Sequence, residues 1–139
     1  MSDTALRRLL ETSQKGVLVT LKRDGRPQLS NVIYAASDGV VRVSVTDGRA
    51  KTKNLRRDPR ASLHVTSDDF WSYVVAEGDA DLSPVAADPH DDTVEELVDL
   101  YRAMRGEHPD WDEYRASMVK DRRLVIRMSV DHLYGMARD

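Results

Sequence analysis

The chain contains no cysteine, which excludes disulfides, thiolate metal centres and cysteine nucleophiles together. Histidine is sparse as well. His64, His90, His108 and His132 lie far apart and show no metal-ligand spacing, so no metal is expected. No apolar run approaches the length of a membrane span, and Met1-Ser2-Asp3-Thr4 begins no signal peptide. The expected protein is cytoplasmic and does not engage a membrane. No Gly-rich phosphate loop is present, and Asp24-Gly25-Arg26 reads as a turn. No nucleophile–base pair stands out, so no catalytic residue is assigned. There is also no internal repeat and no low-complexity segment.

What is present fits one globular domain spanning residues 1–139, with 40% hydrophobic and 32% charged residues. The charge is unevenly spread. Residues 49–60 hold six Lys/Arg and one Asp, whereas residues 68–112 hold fourteen Asp/Glu against Arg102 and Arg105. A nucleic-acid binder extends its positive surface over much of the fold. A single basic block suits a small anionic ligand better, and no nucleic-acid partner is expected.

That block runs Arg49-Ala50-Lys51-Thr52-Lys53-Asn54-Leu55-Arg56-Arg57-Asp58-Pro59-Arg60 and follows Val43-Ser44-Val45-Thr46-Asp47-Gly48, a strand entering a turn. A strand, a turn and a short basic helix aim free backbone N–H groups and several cations at one point. Phosphate is held this way without a metal. The competing reading is a solvated, charged helix face.

Around the block the pattern is mainly β. Leu6, Leu9 and Leu10 place an amphipathic helix over residues 4–13. Gly16–Lys22 is a strand with Val17, Val19 and Leu21 on one face. Asp24-Gly25 turns it into a second strand from Pro27 to Ala36, and Ser37-Asp38-Gly39 turns again into Val40–Thr46. Pro59 ends the basic helix, and Ala61, Leu63 and Val65 alternate in a fourth strand. A fifth covers residues 71–83, its face of Ala76, Gly78 and Ala80 suiting a bend or close packing. Thr93-Val94-Glu95-Glu96 reads as a capping box opening a helix, and Asp110-Trp111 starts another. Leu124, Ile126, Met128 and Val130 alternate in a sixth strand, and His132–Gly135 is expected to close the sheet. Six short strands with a helical insertion at 90–120 predict a small barrel decorated by helices.

Four polar residues interrupt these strands. Gln28 and Ser30 share a face, Asn31 lies on the opposite one, and Ser44 sits just before the basic block. They are either the solvent side of a strand or partners for the edge of a planar heterocycle. Trp71 and Tyr73 are either stacking partners for such a ring or core and interface aromatics. Asp91-Asp92 and Glu95-Glu96 read as helix N-terminal charges rather than paired catalytic acids. An organic cofactor would explain the shortage of reactive side chains.

The runs Gly16-Val17-Leu18, Asp24 to Asn31 and Arg49 to Ala61 resemble the split β-barrel flavin/deazaflavin oxidoreductases. The likeness is to the actinobacterial branch labelled pyridoxamine-phosphate-oxidase-like and dependent on coenzyme F420. It continues through Trp71-Ser72-Tyr73, Ala76-Glu77-Gly78, Asp91 to Glu95, Gly106-Glu107-His108, Asp110-Trp111-Asp112 and Asp121-Arg122-Arg123 to His132-Leu133-Tyr134-Gly135. The resemblance implies a six-stranded Greek-key split barrel, mainly β with peripheral helices, that forms a homodimer with cofactor sites at the subunit interface. It implies that Arg49, Ala50, Lys51 and Thr52 hold a cofactor phosphate. Gln28, Ser30, Asn31, Ser44 and Asn54 would line the ring system and side chain. Tyr73 and Trp71 would stand near the site, Trp71 reaching in from the partner subunit. The chain ends without the basic C-terminal motif of true pyridoxine-phosphate oxidases, so vitamin B6 oxidation is not expected.

The reading that follows is an oxidoreductase moving a hydride from reduced coenzyme F420, a 5-deazaflavin, to a small electron-poor acceptor such as a quinone, enone or tetrapyrrole. The alternatives are an FMN-dependent reductase or oxidase on the same barrel and a non-catalytic F420 carrier. Lys53, Arg56, Arg57 and Arg60 have no evident partner in the sequence, and the acidic tail of F420 would supply one.

Overall fold

The computed structural model describes residues 3–138. Its elements are α1 (Asp3–Thr12), β1 (Lys15–Leu21), β2 (Pro27–Ile33), β3 (Ala35–Ser37), β4 (Val40–Thr46) and α2 (Ala50–Arg57), followed by β5 (Arg60–Thr66), β6 (Tyr73–Leu82), α3 (Asp92–Arg105), α4 (Trp111–Lys120) and β7 (Arg123–Met136). The strands form one antiparallel sheet in the order β2-β1-β5-β6-β7-β4-β3. β2 and β3 stand at opposite ends of that order, yet Tyr34 alone separates them in the chain. The sheet must therefore curl until its ends approach, and the result is a half-barrel.

Tyr34 also explains why the strand count is seven and not the expected six. The single strand expected from Pro27 to Ala36 breaks there. Its side chain is fully buried, its N–H donates to the Gln14 carbonyl at 2.8 Å, and its hydroxyl donates to the Leu10 carbonyl at 2.6 Å. A residue bonded to the α1–β1 connection cannot stay in a strand ladder.

Alternating side chains fill the interior. Val41, Val43 and Val45 of β4, Ala61, Leu63 and Val65 of β5, and Leu124, Ile126 and Met128 of β7 are all buried in one core. Burying a residue of this size contributes roughly 1.5–3 kcal/mol. α1 closes this core with Ala5, Leu6 and Leu10. On β1 the buried residues are Leu18 and Thr20, so Val17, Val19 and Leu21 share the outer face. β6 bends as its small residues suggested. A register shift falls between Glu77 and Gly78, where a Cβ on Gly78 would stand 1.8 Å from the Ser129 carbonyl oxygen.

Outside the sheet, α3 and α4 enclose a second cluster of Val94, Leu97, Val98 and Met118 against Val125 of β7. The N-cap of α3 is Asp91, whose carboxylate accepts from Val94 N–H at 2.8 Å, and not the expected Thr93. Thr93 is buried and donates to the Pro84 carbonyl at 2.8 Å. Glu95 pairs with Arg115 at 2.6 Å and Glu96 with Arg127 at 2.6 Å, so these two carboxylates tie elements together as well as opening a helix. Among the described residues no helix is long and apolar enough to cross a membrane.

Candidate functional site

The curl leaves a gap between two strand edges. β2 has a neighbour on one side only, and β3 stops pairing with β4 at Arg42, leaving Val43–Thr46 open on that side. A cavity of about 590 Å³ opens between these edges, bounded by the start of α2 and by the facing ends of α3 and α4. Strand edges carry unpaired backbone donors and acceptors, so this gap can bond a ligand without side-chain help.

One side of the cavity is cationic. Arg49 is the N-cap of α2 in extended conformation, and no side chain caps the amides that follow. The first intrahelical bond runs from Lys53 N–H to the Arg49 carbonyl at 3.1 Å, so the N–H groups before it face outward with the positive end of the helix dipole. Arg49 and Lys51 line the cavity there, and Arg123 joins them from the first position of β7. Its Nη1 donates to Ser44 Oγ at 3.3 Å, while its Nε is buried without a partner among the described residues. Arg105 lines the same space, and no Asp or Glu does. Burial lowers the Lys51 ammonium below the usual lysine range, and the Arg49 and Arg123 charges add to that effect.

The other side is aromatic and thioether. Tyr101 and Met104 come from α3, Tyr114 and Met118 from α4. Tyr101, His108, Trp111 and Tyr114 pack ring against ring with centroids 5.1–5.6 Å apart. The Tyr114 hydroxyl donates to the Leu97 carbonyl at 3.0 Å, and burial pushes its pKa up to about 12. The wall is therefore fixed before any ligand arrives.

Asn31, Ser44, Arg49 and Lys51 are thus brought together on one cavity. The other residues expected near a site lie elsewhere. Thr52 is buried and its hydroxyl donates to the Thr46 carbonyl at 2.9 Å, fastening α2 to β4. Ala50 and Asn54 line a separate cleft on the other side of α2, with Lys22, Arg23 and Lys53. Asn54 donates to Thr20 Oγ1 at 3.1 Å, Thr20 to Gln28 Oε1 at 3.3 Å, and Gln28 to Ser30 Oγ at 3.1 Å, so these four form one polar chain. Trp71 is 71% exposed in the loop before β6, and Tyr73 stacks on His64 with centroids 5.6 Å apart. Three cations of the basic block do have partners, contrary to expectation. Arg56 bonds Asp47 at 2.6 Å, Arg60 bonds Asp58 at 2.8 Å, and Arg57 donates to the Leu21 carbonyl at 2.7 Å.

Arg123, Tyr101 and Tyr114 were not visible as site residues in the sequence. The only signal for Arg123 was the Asp121-Arg122-Arg123 run in the family likeness. The two tyrosines read as part of a helical apolar stripe.

A curled antiparallel half-barrel with an acid-free cationic cavity at its split defines a split-barrel protein that can hold an anion beside an aromatic wall. Comparison with known proteins narrows this. Residues 2–137 match the pyridoxamine 5'-phosphate oxidase family, and the chain belongs to that family. A structure described as an F420 reductase is 25% identical, with a TM-score of 0.71 over 92% of this chain and 94% of its own. A conserved hypothetical protein from Mycobacterium tuberculosis is 24% identical, with a TM-score of 0.76 over 99% of this chain and 85% of its own. An FAD-binding protein from Mesorhizobium loti is 17% identical, with a TM-score of 0.71 over 100% of this chain and 96% of its own. The last two show the shared fold alone.

The cavity fits a phosphate-bearing planar cofactor on its own terms. Among the described residues the buried Arg123 Nε has no partner and so calls for an oxygen acceptor, and Arg49, Lys51 and the uncapped helix amides can donate to the same acceptor. The aromatic wall opposite offers a face for a ring.

Proposed function

We propose that the protein is a homodimeric, cytoplasmic oxidoreductase that uses reduced coenzyme F420 to reduce a small electron-poor organic acceptor. The observation that carries this reading is the convergence of Arg49, Lys51 and Arg123, without any carboxylate, at the α2 N-terminus and beside a ring wall. Arg49, Lys51 and the first amides of α2 hold the cofactor phosphate. Asn31 and Ser44 meet the polar edge of its ring system, and Arg123 steadies Ser44 while answering negative charge with its free Nε–H. When bound, the deazaflavin supplies the hydride chemistry that the protein's own side chains lack. The chain's share is to bind, orient and exclude water.

Dimerisation is supported by the outer face of the sheet. Leu29 is 59% exposed and Met136 55%, with Ile33, Tyr73 and Tyr134 exposed on the same face. Apolar area gathered on one face marks an interface between proteins. A second copy would cover it and bring the exposed Trp71 within reach of the other subunit. In analytical ultracentrifugation the protein is expected to sediment as a dimer, and Leu29→Lys with Met136→Lys is expected to shift it to monomer; a monomeric parent would overturn this.

FMN is the second cofactor to be tested, because isoalloxazine and deazaflavin share nearly the same shape. Equilibrium titrations with F420 and with FMN, followed by intrinsic fluorescence, decide between them. Micromolar or tighter binding of F420 with weaker FMN binding is expected. Preference for FMN would make the protein a flavin enzyme, and binding of F420 without turnover of any acceptor would make it a carrier. Failure of both cofactors to bind would overturn the reading.

A further inference from the structure

The cations of the cavity come from two elements. Arg49 and Lys51 belong to the start of α2, and Arg123 to the start of β7. One phosphate bonded by all three requires those elements at a fixed separation, because small misplacements of binding groups are costly. The pairing of β4 with β7 runs as far as Thr46 and Arg123. One residue further on, the Asp47 N–H donates to the Arg122 carbonyl at 3.0 Å and carries the contact into the turn.

The Asp47 side chain then ties both elements together. Its Oδ1 accepts from Arg56 Nη2, in the last turn of α2, at 2.6 Å, and its Oδ2 accepts from Arg122 Nη2 at 3.1 Å. The hydrogen bond from Arg56, then that from Arg122, holds the carboxyl below the usual aspartate range, so it is ionised at neutral pH. From the α2 side, the Arg49 N–H and the Thr52 hydroxyl both donate to the Thr46 carbonyl, at 3.3 and 2.9 Å. Arg122 has a φ of +53°, a left-handed conformation that a non-glycine residue adopts at a cost and keeps where its surroundings hold it. Asp47 grips Arg122 twice, by carbonyl and by guanidinium, and Arg122 sets the direction of its neighbour Arg123.

Asp47 itself stands outside the cavity lining, between Thr46 and Arg49, which both belong to it. Its charge has the wrong sign for an anion site, so its contribution there is geometric. We infer that Asp47 is a positioning residue for this site: its carboxylate fastens α2 to the start of β7 so that Arg49, Lys51 and Arg123 converge on one phosphate. The inference rests on the proposed function for the identity of the ligand. Each carboxylate oxygen serves an arginine of a different element. An amide in its place offers one acceptor oxygen and turns N–H groups toward the second guanidinium.

Charge and geometry predict opposite signs, which makes the test decisive. Full-length parent, Asp47→Asn, Arg122→Gln and the double variant are titrated with F420 and FMN, and with their phosphate-free counterparts, 8-hydroxy-5-deazariboflavin and riboflavin. Affinity for the phosphate-bearing cofactor should fall by about fivefold or more in each single variant, with the phosphate-free molecules held within about twofold. The double variant should lose no more than about twofold beyond Asp47→Asn, because both substitutions open the same clamp. In the free Asp47→Asn protein, amide hydrogen exchange at residues 47 and 49 should quicken while the β5 amides keep the protection of the parent, which shows that it folds. Unchanged or tighter cofactor binding in Asp47→Asn would overturn the inference, because the carboxylate would then act by charge alone. So would an equal loss for the phosphate-free molecules, which marks a general loosening. If neither cofactor binds the parent while inorganic phosphate shifts the Arg49–Lys51 amide signals, and does so less in Asp47→Asn, the proposed function falls and the clamp stands. If a cofactor binds the parent and Asp47→Asn alike, the clamp alone falls. If neither cofactor nor phosphate binds, both fall.

Discussion

Two arginines on one face of β7 meet opposite fates. Arg127 donates to both oxygens of Glu96 at 2.6–3.1 Å and to Asp81 at 3.0 Å, and Glu96 also takes Arg42 at 3.3 Å. Among the described residues Arg123, four residues earlier, finds only Ser44, and its buried Nε finds nothing. The difference is in the neighbours. Beneath α3 each cation has a carboxylate of the same chain within reach, so the charges fasten a helix to a sheet. At the barrel split, Arg49, Lys51 and Arg123 face a cavity with no carboxylate, so the folded chain leaves their charge unanswered. Paired charge holds the fold, and unpaired charge gathered on a cavity marks a site for an anion.

Removing the unpaired cations gives the largest expected effect. Arg49→Ala and Lys51→Ala should each weaken cofactor binding by about 1.5–3 kcal/mol, the range for a charge-assisted hydrogen bond, and the double variant by more. Melting temperatures should hold or rise slightly, because like charges are being taken apart. Isothermal titration beside thermal unfolding separates the two readouts. Affinity that does not move in either single variant breaks the comparison, because these cations would then be a solvated surface.

The paired region should respond the other way. Glu96→Gln keeps the shape but removes the charge shared by Arg127 and Arg42, and should cost about 1.5–3 kcal/mol of stability in urea unfolding. Cofactor affinity should stay within twofold. The hydrogen bond from Arg127 holds the Glu96 carboxyl below the usual glutamate range, against burial, which pulls the other way. A depressed carboxylate stabilises fully above its unfolded pKa of roughly 4.3 and loses that stabilisation as pH falls through its folded value. The acid limb of the stability curve should therefore be shallower in Glu96→Gln.

How much of this could be read in the chain follows from distance along it. The turn at Asp24-Gly25, the alternation in β4, β5 and β7 and the strand–turn–helix around Arg49 are local patterns, and each appears where expected. The same locality let Ser44, Arg49 and Lys51 be associated. Tyr34 broke a strand because its bonding partners are Leu10 and Gln14, and no strand period reports a contact of that kind. Asp91 displaced Thr93 as the cap because the Pro84 carbonyl captures the threonine hydroxyl. Arg123 was hidden for a stronger version of the same reason. It reaches Ser44 only because β7 lies beside β4 in a sheet order that follows no chain order. The pairing of Gln28 and Ser30 on one face was legible, whereas their shared bonding to Thr20 and Asn54 needed the curl of the sheet.

The smallest expected effect sharpens the comparison most, because it isolates one atom. Burial, then Arg49, then Arg123, lowers the Lys51 ammonium, so its proton leaves at a lower pH than from an ordinary lysine. A phosphate held by that ammonium should loosen as pH rises through the lowered value, while a bound phosphate pulls the proton back. Stability of the free protein should move oppositely across the same window. There the unfolded chain binds more protons than the folded one, so stability rises with pH. Lys51→Arg keeps the charge at every accessible pH and should flatten both curves. Arg49→Ala takes away one repelling neighbour and should carry the alkaline fall in affinity to higher pH, although affinity as a whole is weaker. Dissociation constants for the bound cofactor from pH 7 to about pH 10, where an ordinary lysine begins to titrate, would show this. An alkaline fall of equal size in the parent and in Lys51→Arg would place the titrating group elsewhere and leave Lys51 no direct part in holding the phosphate.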